Sequence, residues 1–306
     1  MLPIDPRIRA ELEQLLPGRV ASGEPLADWT SLRVGGPADA MLRVETRDEL
    51  VRVLELCRAR GLPVAILGGG FNSLVRDGGL RAVVVRLAGL REVAQAGAGR
   101  VRAEAGASHS QLTRFCADQG QSGLEFGVGI PGTIGGWIAM NAGVHGREVK
   151  DVLDSVELYD PAAGALVARA RDELRFHYRR TELPPGAVVV SATFRTEPAL
   201  PAEIRERQKA LLAQRRATQP VDQPSCGSVF KNPPGDYAGR LIEAAGLKAA
   251  RAGNAMISDL HANFIVNLGG ARAADVLALI ERARGEVQRQ FGVALETEVR
   301  TLGDEP

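Results

Sequence analysis

The sequence predicts an α+β protein in two parts, a glycine-rich region over 1–200 and a smaller α+β domain over 201–306. Three observations point there. Helical periods begin at capping signals, in TRDELVRVLELCRARG (46–61) and SHSQLTRFCADQG (108–120). Runs rich in β-branched residues lie between and beyond them, and two of these, VLDSVELYD and ALVA, flank a turn at Pro161 and Gly164 as a hairpin. The pattern then breaks at TEPALP (196–201) before resuming in a different composition.

Taken in order, MLPIDPRIRAELEQLL reads as an amphipathic helix; it is charged throughout, unlike a signal peptide. Thr46 and Glu49 form a capping box for the helix that Gly61 stops. PVAIL (63–67) is expected as a short buried strand, followed by strands at LRAVVVRL (80–87) and VRAEAG. Ser108 and Gln111 cap the next helix, and AVVVSATFR (187–195) is a strand. Past the break come a basic helix, EIRERQKALLAQRR, the turn-rich stretch PSCGSVFKNP (224–233), and a helix over 237–246. A strand at FIVN (264–267), a long helix over 272–291 and a last strand around LETEVRTL complete the order.

Composition excludes several classes of function. A net charge of +1, with 45% hydrophobic and 25% charged residues, gives no electrostatic reason to expect nucleic acid or an anionic membrane. Cys57, Cys116 and Cys226 are odd in number and show no CxxC spacing, so disulfides and structural zinc are not expected, and a cytoplasmic setting is. His109, His145, His177 and His261 show no metal spacing, and no metal is expected. Residues 127–144 carry no charge, but six glycines and a proline rule out a membrane helix there.

The 35 glycines cluster, and clustering is informative where backbone must approach a ligand closely. ILGGGFNSLVRDGG (66–79) is a strand emptying into consecutive glycines, a turn able to aim several N–H groups at one pyrophosphate. It lacks both GxGxxG and GK[ST], so neither a Rossmann site nor a P-loop is expected. The second run, GVGIPGTIGGWIAMNAGVHGREV (127–149), suggests one large nucleotide gripped from two sides, against the plainer reading of tight interstrand loops. In FHYRRTEL (176–183), Arg179 beside aromatic residues could clamp a carboxylate or could be a solvated surface charge. In LETEVR (295–300), strand alternation puts Glu296, Glu298 and Arg300 on one face.

LGGGFN (67–72), IPGTIGGWIAMNAG (130–143), FHYR (176–179), QPSCGSVFKNP (223–233), AGLK (245–248), HANFIVN (261–267) and LETEVR occur in one order. Together they resemble the UDP-N-acetylenolpyruvoylglucosamine reductase family over roughly residues 28 to 303. The resemblance implies a two-lobed FAD-binding region of the vanillyl-alcohol-oxidase type, its lobes meeting near residue 88, and a C-terminal substrate domain whose last strand returns to the active site. It implies non-covalent FAD, NADPH as co-substrate, and a small UDP-sugar substrate in peptidoglycan synthesis, with no obligatory protein partner. By the same resemblance Ser228, Arg179 and Glu298 are catalytic. The cofactor would meet Arg33, Leu67, Gly68, Gly69, Gly70, Phe71, Asn72 and Ser73. It would also meet Gly129, Ile130, Pro131, Gly132, Gly135, Gly136, Asn141, Ala142 and Gly143. Tyr178, Arg216, Lys231 and Asn232 would meet the substrate. Phe71 departs from the family's usual serine, and only seven residues separate Arg179 from the strand at 187, the mark of the subtype without an inserted tyrosine loop.

The family reaction adds hydride to C3 of an enolpyruvyl ether and a proton to C2. Donors fixed at the neighbouring carboxylate stabilise the charge that develops, which casts Arg179 and a protonated or proton-sharing Glu298, its pKa raised, in that role. Ser228 is then a proton donor and no nucleophile, with Ser225 and Cys226 shaping the chain around it. Lys231, one of four lysines against 34 arginines, is a candidate to steady the alkoxide. Arg216 either contacts the diphosphate or is one more charge on its helix. The rivals are another FAD oxidase or dehydrogenase of the same fold and, outside enzymes, a nucleotide-binding regulatory module without turnover.

Overall fold

The computed structural model describes residues 4–144 and 146–305, so His145 lies outside the described residues. Compactness divides the chain into two units, neither of them contiguous. Unit 1 comprises Met1–Ser22, Ala40–Gly69 and Ala82–Ala213, and unit 2 comprises Gly23–Asp39, Gly70–Arg81 and Gln214–Pro306. This differs from a single cut near 200, because segments 23–39 and 70–81 cluster with the C-terminal part and no shift in composition marks them.

Two sheets carry most of unit 1, the first including residues 37–39 and 80–81, which the division by compactness assigns to unit 2. One orders Val20–Ala21, Pro37–Arg43, Leu80–Arg86 and Val64–Ile66; the other orders Ala165–Ala170, Leu153–Asp160, Val188–Arg195, Arg100–Glu104 and Val93–Gln95. Residue 88 falls between them, yet Leu42, Val83 and Val85 share one apolar core with Val101, Leu158 and Phe194. Helix α1 (Pro6–Leu15) packs on α2 (Arg47–Ala59), whose capping box of Thr46 and Glu49 forms as expected. Leu50, Val53, Leu54 and Cys57 of α2 are buried at helical spacing, each large aliphatic worth on the order of 1.5–3 kcal/mol of transfer free energy. Helix α3 (His109–Asp118) carries the second expected capping box, Ser108 with Gln111. The strand Val64–Ile66 is not buried as expected. It forms the sheet edge, paired only with Leu80–Arg86, and leaves Val64 and Ile66 36% and 39% exposed.

Helix α4 (Ile134–Ala139) lies within the second glycine run, and α5 (Pro201–Thr218) is the basic helix, with Ile204 its buried residue. Unit 2 has a four-stranded sheet in the order Ser225–Ser228, Phe264–Asn267, Ala255–Ile257, Arg251–Ala252. Helices α6 (Ala238–Ala244) and α7 (Ala273–Phe291) contribute to its separate core; Val276, Leu279, Ile280 and Val287 form the buried stripe of α7, which Gly292 ends at φ 69°. PSCGSVFKNP is therefore partly strand, not turn throughout. The last strand begins only at Arg300 (Arg300–Leu302) and pairs in parallel with Ser73–Val75. Residues 295–299 instead bond to 229–231, through Lys231 N–H to Glu296 O and Glu298 N–H to Val229 O. The expected alternation survives without the ladder: Leu295 and Val299 are buried, Glu296 exposed and Glu298 half-buried. No described helix is long and apolar enough to cross a membrane.

Candidate active site

In unit 1 the two glycine runs meet. A Cβ on Gly68 would lie 2.5 Å from Thr133 Oγ1, so any larger residue would have to displace the Thr133 side chain on which the first turn rests. Residues 127–130 form a type II turn: Ile130 N–H bonds Gly127 O at 3.0 Å, Val128 sits at φ −61°, ψ 133°, and Gly129 takes φ 75°. Gly132 follows at φ 111°. The N–H groups of Gly129 and Gly132 donate to no acceptor among the described residues. A turn of this kind, with no side chain between backbone and ligand, suits a pyrophosphate, and the residues present therefore fit the FAD that the sequence implied.

Four later positions of the second run also make contacts within the protein. A Cβ on Gly135 would be 3.1 Å from Ala105, so this glycine sets the packing of α4. Asn141 is fully buried at φ 40°; its Nδ2 donates to His177 O and Glu148 Oε2, and its Oδ1 accepts from Lys150 N–H. Ala142 O accepts from Trp137 Nε1 and Val149 N–H, and Gly143 pairs with Glu148, where a Cβ would strike Arg147 O. Asn141, Ala142 and Gly143 thus build the wall behind the turn, with their polar groups committed to the protein.

That wall carries Arg179. The strands Arg175–His177 and Arg180–Glu182 form a hairpin with Tyr178 and Arg179 at its tip. Asn141 holds the hairpin at His177 O, and Thr181 Oγ1 donates to Ile138 O of α4. Arg179 has φ 60°, and its guanidinium carbon lies 4.8 Å from the centroid of the Tyr178 ring. Among the described residues other than glycine, those with positive φ are Arg33 (56°), Asn141, Arg179 and Ala249 (59°). Such conformations cost about 1–3 kcal/mol each and collect at functional sites. Three of the four are positions the sequence singled out.

Unit 2 brings together Asn72, Ser228 and Glu298. The strand Ser225–Ser228 pairs Ser225 with Val266 and Ser228 with Phe264, one residue out of register, and Gly227 at φ 78° absorbs the extra residue as a bulge. Cys226 stays in the core while Ser228 is half-buried. Burial pushes the Cys226 thiol up to about 12, which leaves it inert as a nucleophile. Asn263 fixes the next residues, accepting from Phe230 N–H at 2.9 Å and donating to Phe230 O at 2.8 Å. Val229 O then receives Glu298 N–H at 2.8 Å, and Asn72 Nδ2 donates to Glu298 O at 3.1 Å. Asn263 and Asn267, whose Nδ2 donates to Leu32 O beside Arg33, were not picked out from the sequence. Their signal was two asparagines four apart, flanking and closing an otherwise apolar strand.

Other expected contacts fall differently. Lys231 Nζ pairs with Glu296. Asn232 Oδ1 accepts from Ala238 N–H at the start of α6. Gly70 has φ 66° and would place a Cβ 2.3 Å from Trp29 O, while Phe71 is 38% exposed. Arg216 is exposed; its neighbour Arg215 is half-buried, which lowers its pKa, and neither pairs with a carboxylate among the described residues. A cavity of about 910 Å³ in unit 1, bordered by Glu125, Phe126, Arg147 and Arg207, contains none of the expected site residues.

Residues 38–168 match the family described as FAD binding domain, which makes this a flavin-binding protein, as the glycine turns suggest. Residues 219–302 match the family described as UDP-N-acetylenolpyruvoylglucosamine reductase, C-terminal domain. The chain is 46% identical over 299 residues to the UDP-N-acetylenolpyruvoylglucosamine reductase of Geobacter metallireducens, covering 98% of each. It is 47% identical to that of Anaeromyxobacter sp. (strain Fw109-5), covering 99% of this chain and 94% of the relative. Its fold matches the crystal structure of the Thermus caldophilus reductase with a TM-score of 0.80 at 39% identity, over 93% of this chain and 98% of that one. The chain belongs to the UDP-N-acetylenolpyruvoylglucosamine reductase family.

Proposed function

We propose that this chain performs its family's reaction with Ser228 as proton donor and with Arg179 and Glu298 at the substrate carboxylate. The chain is an FAD-dependent oxidoreductase of peptidoglycan precursor synthesis that uses NADPH to reduce UDP-N-acetylglucosamine enolpyruvate to UDP-N-acetylmuramate. The observation that carries the assignment of roles is the bond from Glu298 N–H to Val229 O, which ties the carboxylate's backbone to the residue after Ser228.

Held at the glycine turns around Gly68 and Gly129, FAD would supply the hydride-transfer chemistry that links NADPH to C3 of the enolpyruvyl group. Hydride arrival leaves charge at C2, which spreads into the adjacent carboxylate. Arg179 answers that charge with fixed guanidinium donors on a backbone already strained into place. Glu298 contributes a hydrogen bond when it carries a proton. Ser228 Oγ–H then protonates C2, a strongly basic carbon for which a hydroxyl is acid enough. Gly129 and Gly132 would hold the cofactor's pyrophosphate through their N–H groups. Lys231, paired with Glu296, acts on the substrate only if that exposed pair opens.

The chain acts on small molecules. A cytoplasmic setting is supported by Cys57, Cys116 and Cys226, all free and buried. Purified protein should show NADPH oxidation that depends on the enolpyruvyl nucleotide, and denaturation should release all its flavin into the filtrate. Cys116, near the second glycine run in sequence, is buried with its thiol pushed up to about 12, so it is a poor attachment point. NADPH oxidation indifferent to the nucleotide would overturn the reading; colour retained on the polypeptide would overturn non-covalent binding.

Arg216→Ala should raise KM for the uridine nucleotide far more than it lowers kcat, because the diphosphate is unchanged by the reaction and its contact is uniform binding. If Arg215→Ala does this and Arg216→Ala does not, the contact belongs to the half-buried neighbour.

A further inference from the structure

We infer that His109 is a positioning residue for FAD: it clamps both ends of the GVGIPG segment (127–132) and so sets the backbone donors that meet the cofactor. The inference rests on the reading of that segment as a cofactor turn.

His109 is the first residue of α3, only 2% exposed, and has no part in the reaction described above. Its backbone N–H donates to Gly132 O at 3.3 Å, and its Nδ1 lies 3.2 Å from Gly127 O. A carbonyl oxygen only accepts, so Nδ1 carries the hydrogen. Gly127 O is also the acceptor of the type II turn, receiving Ile130 N–H at 3.0 Å. The imidazole therefore takes the remaining acceptor capacity of the carbonyl that opens the turn, while the same residue's backbone holds the carbonyl that closes the segment.

The surroundings leave the imidazole little choice of position. Its ring meets Trp137 edge-on, with centroids 4.2 Å apart and planes at 69°. A Cβ on Gly127 would come within 3.4 Å of both His109 Nδ1 and Trp137 Cζ2, so ring, indole and turn are in direct contact. Ile134 N–H to Ala107 O and Gly135 N–H to Ala105 O continue the same lacing, backbone to backbone. Of these bonds among the described residues, the one from Nδ1 depends on the identity of a side chain. It is the one part of the attachment that a substitution can remove without touching the chain's course.

Three variants separate the possibilities, each read by FAD dissociation constant and by the melting temperature of the FAD-free protein. His109→Phe keeps a ring against Trp137 but has no donor, and should weaken FAD binding roughly three- to tenfold, the worth of one buried hydrogen bond. His109→Asn places an amide N–H where Nδ1 stood and should restore binding to near the parent value even if its melting temperature falls with the lost ring. Gly129→Ala, forced out of φ 75°, should weaken FAD binding strongly. Unchanged affinity in His109→Phe, or equal weakening in His109→Phe and His109→Asn, would overturn the inference. Unchanged affinity in Gly129→Ala would overturn the reading of the turn itself.

Discussion

Ser228→Ala should separate the two halves of the reaction. Reduction of the bound flavin by NADPH needs no proton at substrate C2, so its rate should stay near that of the parent protein. Turnover of the enolpyruvyl nucleotide by the reduced enzyme should fall by about 10² to 10⁴, the usual worth of a general acid, with the upper end expected if no water can replace the hydroxyl. The fold should tolerate the change, since Ser228 is half-buried at the end of its strand and the bulge that orients it belongs to Gly227. Anaerobic stopped-flow following flavin absorbance measures both phases in one experiment. Cys226→Ala should alter either phase only modestly, because that thiol is buried and held up near 12. Normal reoxidation in Ser228→Ala, or its loss in Cys226→Ala, would place the proton source elsewhere.

Glu298→Ala should lower turnover by about 10² to 10³, the range for removing one donor aimed at developing charge. Glu298→Gln should keep part of the activity, since its amide still offers a hydrogen bond toward the carboxylate. Both substitutions leave the backbone bonds to Val229 O and from Asn72 Nδ2 intact, so neither should displace the segment. Steady-state rates for the two variants decide it; equal and mild losses would reduce Glu298 to a half-exposed charge on an extended segment.

The parts of this fold that depend on local chemistry were legible in the sequence. The capping boxes at Thr46 and Ser108, the stripe of α7 and the hairpin around Pro161 and Gly164 each rest on residues within a few positions of one another. What depended on distant partners was not legible. Val64–Ile66 reads as a buried strand because its residues are apolar, but burial was decided by its edge position. The bulge at Gly227 exists only in the register against Phe264–Asn267. The site shows the same division. The glycine runs announced a ligand by themselves, whereas the roles of Ser228, Arg179 and Glu298 came from resemblance and the clamp at His109 from neither. A buried histidine that bonds a carbonyl 18 residues away has no local signature.

The pairing of Ser73–Val75 with Arg300–Leu302 also bears on how the molecule is made. Asn72 and Glu298 are separated by 226 positions, and unit 2 draws on three separate stretches of chain. At synthesis rates of about 5–20 residues per second, Asn72 waits roughly 11–45 s on the ribosome before its partner is even polymerised. Before that interval ends, once residue 213 has been made, unit 1 has every strand and helix of its core available, while 23–39 and 70–81 still have no core of their own to join. Those two segments are then the part of the nascent chain that a chaperone would need to shelter, and the part where an interrupted synthesis would leave apolar surface such as Leu32, Val34 and Leu74 without cover.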